Sequence, residues 1–528
     1  MSEVANLETT NRSAADFVDK KAPDLRTSSL RVVYLAVAVI VVGELLQFAV
    51  YRNHVRFSGG TDFLLYAKHS DDILNGIAPN IILKPFGCGA WLALYRMFFG
   101  DNMAVFASFN AAVLGLLPFL AFMFGWSLRG VGAALFCASL VAISPACAMH
   151  SVLAETPALF FLALSLTSVA IFQKTKWLWL TGVGAAFLVA AWLCRPDSLV
   201  YGIGAVLLSI LPVRGLTKFR GAICFTAVAG ILLFAVCQYN KPMYGRALPV
   251  RYDAYLRYIL VFDTGKTYEI DPASSFIPVI RQSLIQTGAV DEKNLADLSY
   301  LTWNRGWWVI RESLAETNGS HYEADRIMSE ASTSVIRANM LAFAKDAART
   351  FVSFAAFRPV AGASTFAGFE SKPDYPWRRF DYKQQESPET SPTAERLFSA
   401  IVAARENRPY NNWNIPYNSR YLQFLVLCPI LIYPAVIIFV WMSRGFLRWQ
   451  GMAILAGPIL AFVAYATTGF FDYRYLITHS WPLWALAGFG LSVVVDFVWA
   501  QIDRRKPAVL PSARSSLKHP EETRLEQV

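Results

Sequence analysis

The 528-residue sequence is short of charge: only 16% of it is Asp, Glu, Lys or Arg, against roughly 25% in an ordinary soluble domain. That deficit, with 55% hydrophobic and 14% aromatic residues, excludes a disordered or collagen-like chain. A basic nucleic-acid binder is disfavoured too. A phosphate-binding face needs Lys and Arg massed together, and here the 48 basic residues are diluted among Phe and Leu. Paired cysteines are also missing. The seven (88, 137, 147, 194, 224, 237 and 428) include no CxxC, and nearly all stand in apolar runs. They read as small buried hydrophobes, which leaves neither a disulfide framework nor a zinc site. No internal repeat is present.

What the sequence does have is long apolar runs. A bilayer-crossing helix needs about 20 mostly apolar residues. Ten stretches qualify, at about 31–51, 103–125, 131–149, 152–172, 177–193, 198–213, 221–239, 421–443, 450–469 and 477–500. The expected fold is an all-α polytopic membrane protein of about ten transmembrane helices. Residues 1–30 are polar, with Lys20, Lys21 and Arg26 just before the first run, as in a retained cytoplasmic tail rather than a cleaved leader.

Charge placement sets the expected orientation. On one side the short loops hold Arg129; Lys174 and Lys176; Arg214, Lys218 and Arg220; and Arg444 and Arg448, with no acidic residue. On the other they hold only Arg195 and Arg474, each near an aspartate. By the positive-inside rule both termini are cytoplasmic. The chain then divides into a tail (1–30), an N-terminal transmembrane module (31–239), a large outer domain (240–420), C-terminal spans (421–500) and a second tail (501–528). The module includes a first outer loop at 52–102. The large outer segment carries 22 basic and 20 acidic residues and a helical stretch from roughly Tyr322 to Phe357. That stretch has an apolar side, so it either lies on the membrane surface or packs on its own domain. Residues 370–412, rich in Pro, Glu, Ser and Asn, read as exposed loop.

The first outer loop carries the chemistry. Asp62 follows Gly59-Gly60-Thr61 at the start of an amphipathic helix, where the helix N-terminus helps hold a carboxylate. Lys84 precedes Pro85, which restrains the local backbone, and an amphipathic run to Phe99 follows. A carboxylate and an ammonium near a membrane surface suit a reaction on a sugar phosphate. The first takes a proton from an attacking hydroxyl, and the second steadies the departing phosphate.

The order of these features resembles the GT-C superfamily of polytopic glycosyltransferases, in its bacterial protein-mannosyltransferase-like and aminoarabinose-transferase-like branch. The similarity runs from one span through a long loop opening on an aspartate to a Lys-Pro and an amphipathic run ending in Phe-Gly. Glu155 in Leu153-Ala154-Glu155-Thr156-Pro157, Arg195-Pro196-Asp197, and Asp472-Tyr473-Arg474-Tyr475 are similar to further family stretches. The resemblance covers residues 30–215 well and 450–490 loosely. It implies an inverting transfer from a polyprenyl-phosphate-linked sugar to a glycan, lipid or protein acceptor, on the extracytoplasmic side of a bacterial inner membrane. It implies Asp62 as catalytic base and Lys84, Arg195 and Arg474 at the donor phosphate.

The sequence departs from the family where many relatives have adjacent acidic residues, because Asp62 is followed by Phe63. A second carboxylate would come from Glu155, Asp71 or Asp72, and a divalent metal such as Mg2+ or Mn2+ stays an open question. Each residue also has a plainer reading. Asp62 caps a helix; Lys84 snorkels; Asp71 and Asp72 form a solvated face; Glu155 pairs with Arg195 or Lys84. Arg195 and Asp197 make a local pair, and Glu44 and Asp496 pair within the bundle or reach an interface. His54, His69 and His150 lack ligand spacing. Two other functions remain in view: a flippase for lipid-linked sugars, which needs charge deep in the spans and repeat symmetry, and a non-catalytic envelope-assembly protein.

Overall fold

A computed structural model describes residues 29–50, 61–82, 84–148, 154–263, 268–295, 298–302, 306–356, 392–393, 395–397, 399–400, 432–443, 445–468 and 473–505. These residues are 85% helical, with no strand among them. Six helices are long and apolar enough to cross a membrane: Leu30–Ala49, Met103–Leu128, Glu155–Thr175, Leu216–Tyr244, Gly445–Thr467 and Thr478–Ile502. Four shorter apolar helices, Val131–Ala142, Trp179–Cys194, Pro196–Leu208 and Ile432–Met442, fall on the other four expected stretches. The chain is an all-α, multi-pass membrane protein.

In chain order the helices are α1 (Ser29–Leu45), α2 (Thr61–Leu74), α3 (Gly87–Phe99), α4 (Met103–Gly115), α5 (Leu117–Leu128), α6 (Val131–Ala142), α7 (Glu155–Thr175), α8 (Trp179–Cys194), α9 (Tyr201–Leu208) and α10 (Arg220–Tyr244). After them come α11 (Tyr252–Tyr258), α12 (Phe276–Gln286), α13 (Gly306–Asn318), α14 (His321–Ala338), α15 (Met340–Ala355), α16 (Ile432–Met442), α17 (Gly445–Thr468) and α18 (Tyr473–Arg505). The main core lies where α5 to α9 pack with α16, α17 and α18, and Trp481 and Trp484 are among its largest buried side chains. Burying an aromatic of that size is worth several kcal/mol against water, but lipid is as apolar as the core. Packing and small-residue contacts therefore do more to hold the spans than the hydrophobic effect.

The two ends of the bundle differ. At the lower end Lys174 lies 3.3 Å over the Trp126 ring, and Arg220 and Arg448 donate to backbone carbonyls. Arg129 pairs there with Asp496 at 2.8 Å, where the aspartate is largely exposed at the end of the bundle. The upper end carries two further bodies. One is the α2–α3 pair, whose Phe63, Tyr66, Trp91 and Tyr95 form a core with α4. Arg96 staples the pair, donating to Asp101 at 2.7 Å and to Ser70 at 3.0 Å and reaching Asp71 at 3.3 Å. The other body is a helical domain of α11 to α14, whose core takes in Tyr244 and the loop residues Ile81 and Ile82.

One expectation needs correcting in detail. The helical stretch expected from Tyr322 to Phe357 is two helices, because Asn339 turns its side chain onto the backbone of Glu269, accepting at 3.0 Å and donating at 2.9 Å. Its first half, α14, packs in its own domain through Ala324, Met328 and Ala331. Its second half, α15, packs on α17, with the Phe351 and Phe462 rings 6.4 Å apart, and leaves Leu341 and Val352 exposed. The last helix runs on to Arg505, and the apolar span within it, Thr478–Ile502, agrees with the expected 477–500. The exposed loop expected at 370–412 and the two tails lie almost wholly outside the described residues.

Candidate functional site

The upper end of the bundle holds a buried polar cluster built on Arg195. Pro196 explains its location: a residue before proline is pushed out of the helical region, and Arg195 sits at φ −145°, ψ 117°. Helix α8 therefore stops there, and the guanidinium turns in against the ends of other helices. The short 3-10 turn Pro196–Val200 then brings Asp197 back beside it. Arg195 donates through Nη1 to Glu155 Oε1 at 2.7 Å, through Nε to Asp197 Oδ1 at 3.1 Å and through Nη2 to the Tyr465 hydroxyl at 3.0 Å. Glu155 and Arg195 are 3% and 8% exposed, so this pair is desolvated and held by geometry rather than by Coulomb gain alone. Glu155 also opens α7, where the helix N-terminus favours a carboxylate.

The last span adds an imidazole. His479, fully buried in α18, places Nε2 3.1 Å from Asp197 Oδ2 and Nδ1 2.8 Å from the Tyr201 hydroxyl. One assignment satisfies both contacts with a neutral ring: Nε2–H donates to Asp197, and Tyr201 O–H donates to Nδ1. The Tyr465 hydroxyl also donates to Asp197. Four parts of the bundle, the start of α7, the α8–α9 turn, the end of α17 and the start of α18, are thus tied at one level.

The α2–α3 pair docks beside this cluster. Gly87 meets the end of α8 so closely that a Cβ there would lie 2.4 Å from the Leu193 carbonyl carbon and 2.6 Å from the Cys194 nitrogen. Gly89 meets α2 the same way, with a Cβ falling 2.3 Å from His69 Cβ. Only glycine permits either approach. Lys84, Pro85 and Phe86 therefore run directly into the chain that ends in Arg195. A narrow crevice of about 20 Å3 lies there, between Pro85 and Phe86, Trp192 and Leu193, and Val236 and Asn240 of α10. It is mostly apolar, and the buried Asn240 Oδ1 beside it has no hydrogen-bond partner.

Of the residues the sequence singled out, the structure brings Glu155 and Arg195 together with Asp197. It puts Lys84 in the adjoining segment, half-buried, and pairs Asp71 with Arg96. Asp72 is half-buried on α2, where burial raises its carboxyl pKa against the opposing effect of Lys68. Asp62 stands in the first turn of α2 and Arg474 in the first turn of α18, while their side chains, and all of Asp472, lie outside the described residues. Tyr201, Tyr465 and His479 were not anticipated. An ionisable residue inside an apolar run is a functional signal in its own right, and Thr478-His479-Ser480 carries it. Among the described residues no three His, Cys, Asp or Glu side chains are grouped as a metal site, and both carboxylates of the cluster are engaged by Arg195. The six described cysteines are free. Comparison with protein-family models, with curated proteins and with solved structures finds no match to this chain.

Proposed function

We propose that the chain is a GT-C type glycosyltransferase of about ten spans, seated in a bacterial inner membrane with both termini cytoplasmic. In this reading the upper end faces the extracytoplasmic side. The donor is a polyprenyl-phosphate-linked sugar, and the acceptor is a hydroxyl on an envelope glycan, lipid or protein. Asp62 takes the acceptor proton as its oxygen attacks the anomeric carbon; the bond from that carbon to the phosphate oxygen breaks, and polyprenyl phosphate leaves. Lys84, with Arg474, balances the charge that develops on the phosphate. Arg195 lies between two carboxylates, so its first task is to hold Glu155 and Asp197 at the mouth of the bundle. A phosphate would have to displace one of them to reach it.

The observation that carries this reading is the docking of the Lys84–Gly87 segment onto the end of α8, beside a buried charged cluster and an apolar crevice. Pro85 and Phe86, which follow Lys84 in the chain, line the apolar crevice, and a cation one residue from such a lining suits a phosphate carried on an isoprenoid chain. The basic groups at the opposite end agree with the orientation.

The test is genetic and analytical. Deleting the gene and profiling envelope glycans and lipids by mass spectrometry is expected to remove one sugar. Wild-type protein should restore it, and an equally abundant Asp62→Asn variant should not. Restoration by Asp62→Asn would overturn the assignment.

A further inference from the structure

Four consecutive backbone carbonyls just ahead of Lys84 are each held by a side chain from a different helix. The Tyr239 hydroxyl of α10 donates to Pro79 O at 3.3 Å, and His69 Nε2 of α2 to Asn80 O at 2.7 Å. The Tyr252 hydroxyl of α11 donates to Ile81 O at 2.7 Å, and Arg311 Nη1 of α13 to Ile82 O at 3.1 Å. Asn80 Oδ1 closes the segment by accepting from the Ile82 amide at 3.1 Å. Irregular backbone usually satisfies its carbonyls with water or its own neighbours. Here donors from both outer bodies and a spanning helix converge on one stretch of four residues.

The donor from α13 is unusual for another reason. Arg311 is fully buried and forms a two-point pair with Asp325, Nε to Oδ1 at 2.6 Å and Nη2 to Oδ2 at 2.9 Å, while Tyr244 donates to the same carboxylate. A buried ion pair seldom adds stability over apolar residues of the same volume, and its best-attested use is to fix a register. The remaining arm of Arg311 fixes the register of Ile82, two residues from Lys84. His69 suits the same task, because burial pushes its pKa down to about 4 and keeps a neutral Nε2–H donor.

We infer that His69, Tyr239, Tyr252 and Arg311 are positioning residues: through Tyr252 and Arg311 the α11–α14 domain, and through His69 and Tyr239 helices α2 and α10, set where Lys84 stands. The rail itself follows from the hydrogen bonds; its consequence for phosphate binding rests on the proposed role of Lys84. Tyr252→Phe removes one hydroxyl and no packing volume, so it tests the rail without endangering the fold.

In full-length protein in nanodiscs, hydrogen exchange of the peptide spanning 80–87 should speed up about tenfold in Tyr252→Phe, the effect of one hydrogen bond. Peptides of α12 to α14 should be unchanged. Equal exchange at 80–87, or a rise throughout the domain, overturns the rail. Undecaprenyl phosphate binding to the same nanodiscs provides the second arm. Tyr252→Phe and Lys84→Gln should each weaken it, and the double variant should be no weaker than Lys84→Gln alone. Additive losses overturn positioning through Lys84. If Lys84→Gln binds as wild type while exchange at 80–87 still responds to Tyr252→Phe, the phosphate role of Lys84 fails and the rail stands.

Discussion

Replacing Gly87 by alanine tests how the first outer loop is held against the bundle. The added Cβ would sit 2.4 Å from Leu193 C, 2.5 Å from Leu193 O and 2.6 Å from Cys194 N, all backbone atoms that cannot rotate away. Ordinary contact begins near 3.4 Å, so α3 must retreat from α8 by about 1 Å or the ends of both helices must bend. Overpacking of this kind costs about 1–3 kcal/mol. The greater effect is on chemistry. Lys84 and Pro85 lead into Gly87, so the retreat shifts them with α3, and a 1 Å misplacement of a positioned group costs on the order of 100-fold in rate. Gly132→Ala is the control: it lies in α6, no atom comes within 4 Å of its built Cβ, and it should leave both measurements unchanged or slightly improved. The assay pairs denaturant unfolding in detergent with restoration of the envelope sugar in the deletion strain. Wild-type stability and full restoration by Gly87→Ala would refute the argument, because the contact would then have slack that the backbone distances deny.

Two further outcomes follow from the buried groups. The folded-state pKa of His69 is about 4 against an ordinary 6.5, so the imidazole takes up its proton more readily in the unfolded chain. Its contribution is complete above pH 6.5 and is lost as the pH falls towards 4, to a limit of about 3 kcal/mol. His69→Gln keeps a donor for Asn80 O and should flatten stability over that window; an unchanged slope would assign the pH dependence elsewhere. Arg195→Gln leaves Glu155 and Asp197 buried without their cation and should cost about 3–5 kcal/mol. Adding Glu155→Gln should recover part of that loss in unfolding midpoints, and losses of the two single variants that simply add in the double variant would show that the pair is not coupled.

The spans were legible because a bilayer asks for a property that neighbouring residues supply together, an unbroken apolar run. That is why six of the expected stretches hold apolar helices of full spanning length, and shorter apolar helices fall within the other four. Local rules also reached the site wherever the cause was local: Pro196 ends α8 at Arg195, and Asp197 lies within reach two residues later. The break at Asn339 escaped, since its reason is a backbone partner 70 residues away. So did His479, Tyr465 and Tyr201: the two tyrosines are ordinary in their helices, and the imidazole, conspicuous in its apolar run, has partners far away in sequence.

By itself, then, the sequence determined a helical, multi-pass chain whose basic loops gather at one end, and it marked Glu155, Arg195 and Asp197 as neighbours at the other. Only the tertiary structure decided what closes that end. Tyr465 and His479 reach Asp197 across 268 and 282 residues of chain. Arg311 reaches Ile82 across 229. Hydropathy repeats every few residues along one strand of sequence, whereas these contacts depend on which helices become neighbours, and that is a property of packing.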